Sequence, residues 1–367
     1  MAALVSSLFS PFHVKNLELA NRIVMSPMTR SHSPGGVPSE DVVRYYARRA
    51  ENDVGLIITE GTVVDHPSSA NDLNVPQFFG TEALAGWRCV AEAVHAAGGR
   101  IIPQLWHVGS VRNPAVSPNP DVPSVGPSGL RKRAVAFGDP MSESAIADVI
   151  ASFARAASAA IELGFDGIEL HGGHGYLLDQ FFWEVTNSRP DRFGGDLAGR
   201  CRFAAEIIKA CRAAIGSEYP IFLRFSQWKV QDYKAKLVNS PQELEAFLSP
   251  LIDAGVDVFH CSTRRFWVPE FEGSPLNLAG WAKRVSGKPV VTVGSVGLDS
   301  DMLAAFRGES AAVVGIDAVV EMIARQEVDL VAVGRALLAD YRWARKILER
   351  RESEILPFTP DAMKILT

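Results

Sequence analysis

Residues 165–182 read FDGIELHGGHGYLLDQFF. The run Phe165 to Leu170, punctuated by Asp166-Gly167, has the short apolar pattern of a strand buried on both faces. The stretch Leu170–Phe182 then packs His171, His174 and Tyr176 among three glycines. Without a Cβ, glycine lets the backbone turn sharply and a flat ligand approach closely. A strand that empties into ring nitrogens and a phenol carries proton-transfer equipment rather than core filling. The fold follows from asking whether other strands end in the same way.

They do. Short apolar runs fall at Arg22–Met28, Gly55–Gly61, Arg100–Trp106, Asp166–His171, Tyr219–Ser226, Asp257–Ser262, Pro289–Gly294 and Asp329–Gly334. Helical patterns lie between them at Ser39–Asn52, Thr81–Ala97, Ser142–Leu163, Leu197–Ile215, Ser240–Ala254 and Leu276–Val285. Asp299–Arg307 and Ile316–Arg325 precede the last strand, and Leu338–Arg350 follows it. Ser39, Thr81, Ser142 and Ser240 are expected helix caps, while Gly98-Gly99, Gly164 and Gly255 stop helices before the next strand. Strand–helix repetition of this kind predicts an α/β fold, a single closed (β/α)8 TIM barrel spanning 1–367. The doubly wound alternative expects a Gly-rich turn after its first strand, and no GxGxxG occurs in the chain. Leu8–Leu19, with a Lys15-Asn16 turn, is expected to form an N-terminal hairpin closing the bottom of the barrel. The long loop after strand 3, His107–Met141, reads as a lid or binding loop, or as a bland insertion. Gly308–Val328 is longer than the usual connection and is read as an extra helix outside the barrel.

The bulk composition narrows the function. With 367 residues, 47% hydrophobic content and a formal charge of −5, the chain lacks the basic stripe of a nucleic-acid binder. No uninterrupted apolar run reaches membrane-spanning length. The start, MAALVSSLFSPF, has no basic segment and too short an apolar stretch for a secretory signal. Four scattered cysteines suggest free thiols, and a cytoplasmic location is expected.

In such barrels the chemistry sits at the C-terminal strand ends. Those ends present Pro27 and Thr29, Glu60-Gly61, Gln104 with Trp106, the His171/His174/Tyr176 group, Arg224, His260-Cys261-Ser262, Gly294-Ser295 and Gly334-Arg335. Loops after strands seven and eight often build a phosphate site from backbone amides. Here they supply glycines and the Arg335 fork, a good match to phosphate. Gln104 offers an amide suited to the edge of a pyrimidine-like ring, and Arg224 adds a second fixed charge. An anionic, flat heteroaromatic cofactor with a phosphate tail satisfies all of these, and FMN is the natural candidate.

The motifs NRIVMSPMTR (21–30), HAAGGRIIPQLWHVG (95–109), DGIELHGGHGYLLDQFF (166–182), NSRPDRFGGD (187–196), LRFS (223–226) and AVGRALLAD (332–340), in this order, resemble the old yellow enzyme family of FMN-dependent ene-reductases. The resemblance runs from Leu8 to about Tyr341 and implies one barrel holding FMN non-covalently. It implies flavin contacts at Pro27, Met28, Thr29, Gly61, Gln104, Arg224, Gly294, Ser295, Gly334 and Arg335. Thr29 would tune the flavin from beside its N5 edge. His171 and His174 match the pair that grips a substrate carbonyl oxygen, Tyr176 the proton donor, and Trp106 an aromatic that shapes the substrate pocket. The implied reaction is reduction of FMN by NADH or NADPH. Hydride from flavin N5 then passes to the β-carbon of an α,β-unsaturated carbonyl or nitroalkene, with protonation by Tyr176.

Other readings compete. One is a different FMN barrel chemistry, the oxidation of an amine or a dihydropyrimidine. Another is a metal-dependent barrel hydrolase, which the absence of a His-x-His at the end of strand one argues against. No metal is therefore expected. Tyr176 in isolation is more often a packing residue, and Thr29 a local hydrogen-bonding one. His260 and Cys261 read as packing, and Asp191, Arg192, Gly194 and Gly195 as a structured turn. Gln227-Trp228 and Phe266-Trp267 either line the pocket or cover the barrel mouth. The Arg264-Arg265-Phe266 stretch is expected to border the substrate entrance. Glu60 places a carboxylate near the flavin or turned from it. Substrate, nicotinamide preference and oligomeric state are not legible in these residues.

Overall fold

A computed structural model describes residues 2–367. Its centre is a closed barrel of eight strands in chain order. They are β1 (Ile23–Met25), β2 (Leu56–Val63), β3 (Arg100–Trp106), β4 (Ile168–His174), β5 (Ile221–Lys229), β6 (Val258–Ser262), β7 (Val290–Val293) and β8 (Leu330–Val333). Every neighbouring pair is parallel, and β8 closes on β1 with Val331 opposite Ile23. Alternate side chains explain the continuous apolar runs. Val24, Leu56, Ile58, Ile102, Phe222, Val258, Val291 and Leu330 fill the barrel interior. Ile57, Ile101, Leu223, Phe259 and Val290 belong instead to the layer packed by the helices.

The helices α1 (Glu40–Glu51), α2 (Thr81–Ala96), α3 (Glu143–Glu162), α4 (Leu197–Ile215), α5 (Pro241–Ala254), α6 (Leu278–Ser286), α7 (Asp317–Ala324) and α8 (Trp343–Leu348) surround it. Among the described residues α3 alone would suit a membrane span by length and hydropathy, but its Ile146, Val149, Phe153, Ala157 and Ala160 are buried. Ser142 and Ser240 cap α3 and α5 as expected, accepting from Ala145 and Glu243 amides. Thr81 is inside α2 and Gly80 takes the cap position, while Ser39 caps α1 without a side-chain bond. Gly255 closes α5 in the left-handed conformation.

The expected hairpin is present, with Phe12–Val14 antiparallel to Leu17–Leu19. Leu17 and Leu19 join the inner cluster and plug the barrel floor. Gly308–Val328 is not an added element. Its helix, α7, is the barrel's own crossover before β8, and Ala2–Leu8 packs on it. Ala311 bridges to Phe358, tying this segment to the C-terminal tail. The loop after β3 is organised on buried Arg112, which donates to carbonyls of Ala70, Asn119 and Val122.

Several strands end differently from expectation, β1 early and β2, β4 and β5 late. β1 leaves the ladder early, because Pro27 has no amide to donate after Ser26 bonds Val333 O at 2.9 Å. β4 instead continues through His174, with a register shift after Gly172 that pairs His174 with Lys229 of an equally lengthened β5. Bulges of this kind re-aim side chains beside sites. The extension is held by a fully buried ion pair, Lys229 Nζ to Asp179 Oδ1 at 2.6 Å. Asp179 Oδ2 in turn accepts the Gly175 amide at 2.7 Å. Gly175 has φ +82, a left-handed backbone that strains any side chain, and a Cβ there would also have to displace the Gln231 amide.

Removing one member of a buried pair strands the other charge. Lys229→Met should therefore cost about 3–5 kcal/mol in urea unfolding. Lys229→Met with Asp179→Leu should cost clearly less than the single change. Equal losses would show that the pair does not hold this turn.

Candidate active site

The C-terminal strand ends enclose a cavity of about 300 Å³. All fourteen residues singled out in the sequence line it: Pro27, Met28, Thr29, Gly61, Gln104, Trp106, His171, His174, Tyr176, Arg224, Gly294, Ser295, Gly334 and Arg335. The periodicity of the strands explains the convergence, since one rim collects every βα junction. Ser262, named at a strand end but given no role, faces the cavity, as do Ser26, Arg30, Val230, Thr263, Met302, Phe306 and Met363, which sequence reasoning did not single out as pocket residues. Trp228 and Arg264 line it too, whereas Gln227, Phe266 and Trp267 do not. Nor does any residue of 107–141, so the long loop is no wall of this cavity.

One side of the cavity is aromatic and proton-bearing. His171 and His174 have ring centroids 5.0 Å apart. Tyr176 stands 5.0 Å from His171 and meets Trp106 edge-on at 4.9 Å. His174 stacks on Trp228 at 4.3 Å. Its backbone has φ +63, a conformation that a bulky residue keeps only where its surroundings enforce it. Here the enforcement is the bond from His174 N to Ser226 Oγ, 2.8 Å, and the ring contact of Nε2 with Ser262 Oγ, 2.7 Å. His171 Nδ1 and Trp106 Nε1 are buried without a hydrogen-bond partner.

Burial, then the Arg224 cation, holds both histidines well below their ordinary range, so the rings are neutral at pH 7. Burial pushes Tyr176 up to about 12, which keeps its proton on oxygen. Arg224 falls to about 10 for the same reason and stays cationic. His171 and His174 thus sit beside a positive charge, and among the described residues no group of three or more His, Cys, Asp or Glu is placed to hold a metal.

The barrel wall beneath them is a hydrogen-bonded chain that joins Gln104, expected at the flavin, to His260, read as packing. Gln104 Nε2 donates to Glu169 Oε1 at 2.7 Å, and Glu169 Oε2 meets His260 Nδ1 at 2.7 Å, with both Glu169 and His260 fully buried. Glu169 therefore orients the Gln104 amide. Cys261 points away from chemistry: burial drives its thiol well above the ordinary range. Asp191 forms the expected turn, bonded to Arg189 and to the Phe193 amide.

The other side of the cavity suits an anion. Arg335 reaches Ser295 Oγ at 3.3 Å and the Ser300 carbonyl, and its Nη1 is buried without a partner. Arg224 has only long contacts, 3.5 Å to Pro27 O and 3.4 Å to Ser262 Oγ, and its Nε has no partner. A Cβ on Gly334 would meet only Met28 Sδ at 3.4 Å and Ser26 Cβ at 3.8 Å, so the backbone is open to whatever the cavity holds. Gly294, φ +144, would press a Cβ to 2.7 Å from Thr263 Oγ1. Two under-used guanidinium groups and an open glycine fit a phosphate-bearing flavin. Thr29 is exposed at the mouth.

Comparison with known proteins adds relatives. The model of the NADH:flavin oxidoreductase / NADH oxidase family matches residues 7–354. An NADH oxidase of Thermoanaerobacter brockii is 35% identical over 363 residues, 95% of this chain and 52% of that protein. The 12-oxophytodienoate reductase 7 of Oryza sativa subsp. japonica is 40% identical over 223 residues, 58% of this chain and 56% of its own length. The chain thus spans about half the length of these curated relatives. Morphinone reductase superposes with a TM-score of 0.79 at 25% identity, covering 97% of this chain and 92% of that one. An old yellow enzyme homologue from Zymomonas mobilis gives 0.80 at 23% identity, covering 98% and 97%, a likeness of fold.

Below the Thr29 loop lies a shifted carboxyl. Glu60 Oε2 accepts the amides of Arg30 at 2.8 Å and Ser31 at 3.3 Å, while Oε1 is buried without a partner. Glu60 thus turns from the cavity and anchors the chain just after Thr29. Burial raises its pKa from 4.5 to about 7. An acid whose pKa rises on folding adds most stability below its unfolded value, and that contribution disappears as pH climbs through the folded value. Wild type should lose about 3 kcal/mol relative to Glu60→Gln between pH 4.5 and 7 in urea melts. Parallel profiles would mean that Glu60 does not titrate in this range.

Proposed function

The chain belongs to the NADH:flavin oxidoreductase / NADH oxidase family, the FMN-binding old yellow enzymes, and from that premise we propose that it is an ene-reductase acting on activated alkenes. The observation that carries this reading is the pairing of two neutral histidines with a protonated tyrosine on one cavity wall, facing unpaired guanidinium donors. FMN, when bound, supplies the hydride chemistry, with NADH or NADPH as the reductant.

Arg335, Ser295 and the Gly294 and Gly334 backbones would hold the phosphate. Gln104 and Arg224 would meet the polar edge of the ring, and Pro27, Met28, Thr29 and Gly61 would border it. His171 and His174 donate hydrogen bonds to the oxygen of an enone, enal or nitroalkene. As negative charge develops on that oxygen, each donor is worth about 3 kcal/mol. Tyr176 delivers a proton to the α-carbon, and its raised pKa keeps that proton available at neutral pH. Trp106 and Trp228 supply flat walls for a planar conjugated substrate. Similar proteins bear the names 12-oxophytodienoate reductase and morphinone reductase, which supports reduction over amine or dihydropyrimidine oxidation. A morphinone reductase complex with tetrahydroNAD supports a nicotinamide as reductant.

Purified protein should be yellow, bleach anaerobically with NADH or NADPH, and regain colour on addition of cyclohexenone. Bleaching without recovery across a panel of enones and nitroalkenes would contradict the ene-reductase reading. Tyr176→Phe should leave nicotinamide-dependent bleaching intact while enone turnover falls about 10²–10⁴-fold. Stopped-flow absorbance separates the two half-reactions, and unchanged turnover would remove Tyr176 as proton donor.

A further inference from the structure

We propose that Ser262 is a positioning residue that fixes the tautomer of His174, placing the ring proton on Nδ1 for the substrate oxygen. The inference rests on the reading that the histidine pair grips that oxygen. It follows from counting donors in a buried site. A serine hydroxyl has one proton and two lone pairs, whereas a guanidinium only donates. Arg224 Nη2 points at Ser262 Oγ from 3.4 Å, so one lone pair is directed to the cation. His174 Nε2 lies 2.7 Å from the same oxygen. Ser262 is buried, and its hydroxyl has no other acceptor among the described residues. If Nε2 donated to Oγ, the hydroxyl proton would find no acceptor among the described residues. The satisfied arrangement has Arg224 donating to Ser262 and Ser262 donating to Nε2. A neutral imidazole then carries its hydrogen on Nδ1.

The ring has no freedom to escape this assignment. Trp228 stacks on one face at 4.3 Å, and the backbone amide is tied to Ser226 Oγ at 2.8 Å. Nδ1 makes no hydrogen bond among the described residues, and His174 lines the cavity. With the opposite tautomer Nδ1 would be a lone pair and would repel a carbonyl oxygen rather than bind it. Ser262 also lines the cavity, but the role proposed for it is exerted through His174.

Heteronuclear NMR on the FMN-loaded protein with isotope-labelled histidine reads the tautomer directly, with His174→Gln identifying the signal. Wild type should carry the His174 proton on Nδ1. Ser262→Ala should shift it to Nε2 or to an exchanging mixture, and weaken binding of cyclohexanone, a saturated ketone, about tenfold. Ser262→Thr keeps the hydroxyl and should restore both. A wild-type ring protonated on Nε2 overturns the proposal, and so does a Ser262→Ala protein that keeps the Nδ1 proton or the wild-type ketone affinity. If wild type binds no cyclohexanone, the proposed function fails, while the tautomer still decides the role of Ser262.

Discussion

Closure of the parallel barrel is the constraint on which everything else depends. Eight parallel strands leave no edge only if β8 pairs with β1, and that seam is built from Ile23, Val24 and Met25 against Val331, Ala332 and Val333. Both faces of each strand must then be apolar through the lower barrel, and all eight strands deliver their C-terminal ends to one rim. Residues hundreds of positions apart, such as Pro27 and Arg335, become walls of one cavity for that reason. The hairpin leucines Leu17 and Leu19 seal the opposite end.

Above the apolar floor the barrel interior turns polar, and the polar groups are managed in two ways. Some are paired with one another: Gln104, Glu169 and His260 form a hydrogen-bonded chain, and Lys229 and Asp179 neutralise each other. Others are left short of partners, notably Arg224 Nε, Arg335 Nη1 and His171 Nδ1. Buried donors without acceptors are costly in a folded protein, so their concentration around one cavity marks where a bound molecule completes the structure. The paired groups do supporting duty, holding Gln104 and the Gly175 turn in the orientation that the unpaired groups need.

Much of this was legible in the sequence because it is local. The apolar runs, the Gly-rich rim after β4 and the two glycine loops near the end of the chain each announce themselves within a few residues. What was not legible depends on contacts across the barrel. Ser262 meets His174 across 88 positions, and His260 meets Glu169 across 91. A signal was present, since Val258, His260 and Ser262 alternate along β6 as Glu169 and His171 do along β4, with apolar members below and polar ones above. Reading that alternation as an inward polar layer would have found both residues. Register shifts were also hidden: a pattern of apolar letters does not reveal that β4 continues past Gly172 to His174. The C-terminal tail was likewise unreadable as part of the site, because the segment that carries Met363 to the cavity is held by contacts remote in sequence, among them the Arg30 bonds to the Ala362 and Ile365 carbonyls.

On the proposed function, one cavity holds a flavin phosphate at its glycine and arginine end and a substrate oxygen at its histidine wall. A crystal structure of the protein grown with FMN and cyclohexanone tests it most directly. Phosphate oxygens should lie on the Gly294, Ser295, Gly334 and Arg335 groups, with the ketone oxygen between the His171 and His174 rings. A flavin bound elsewhere, or a ketone oxygen turned away from both histidines, would contradict it.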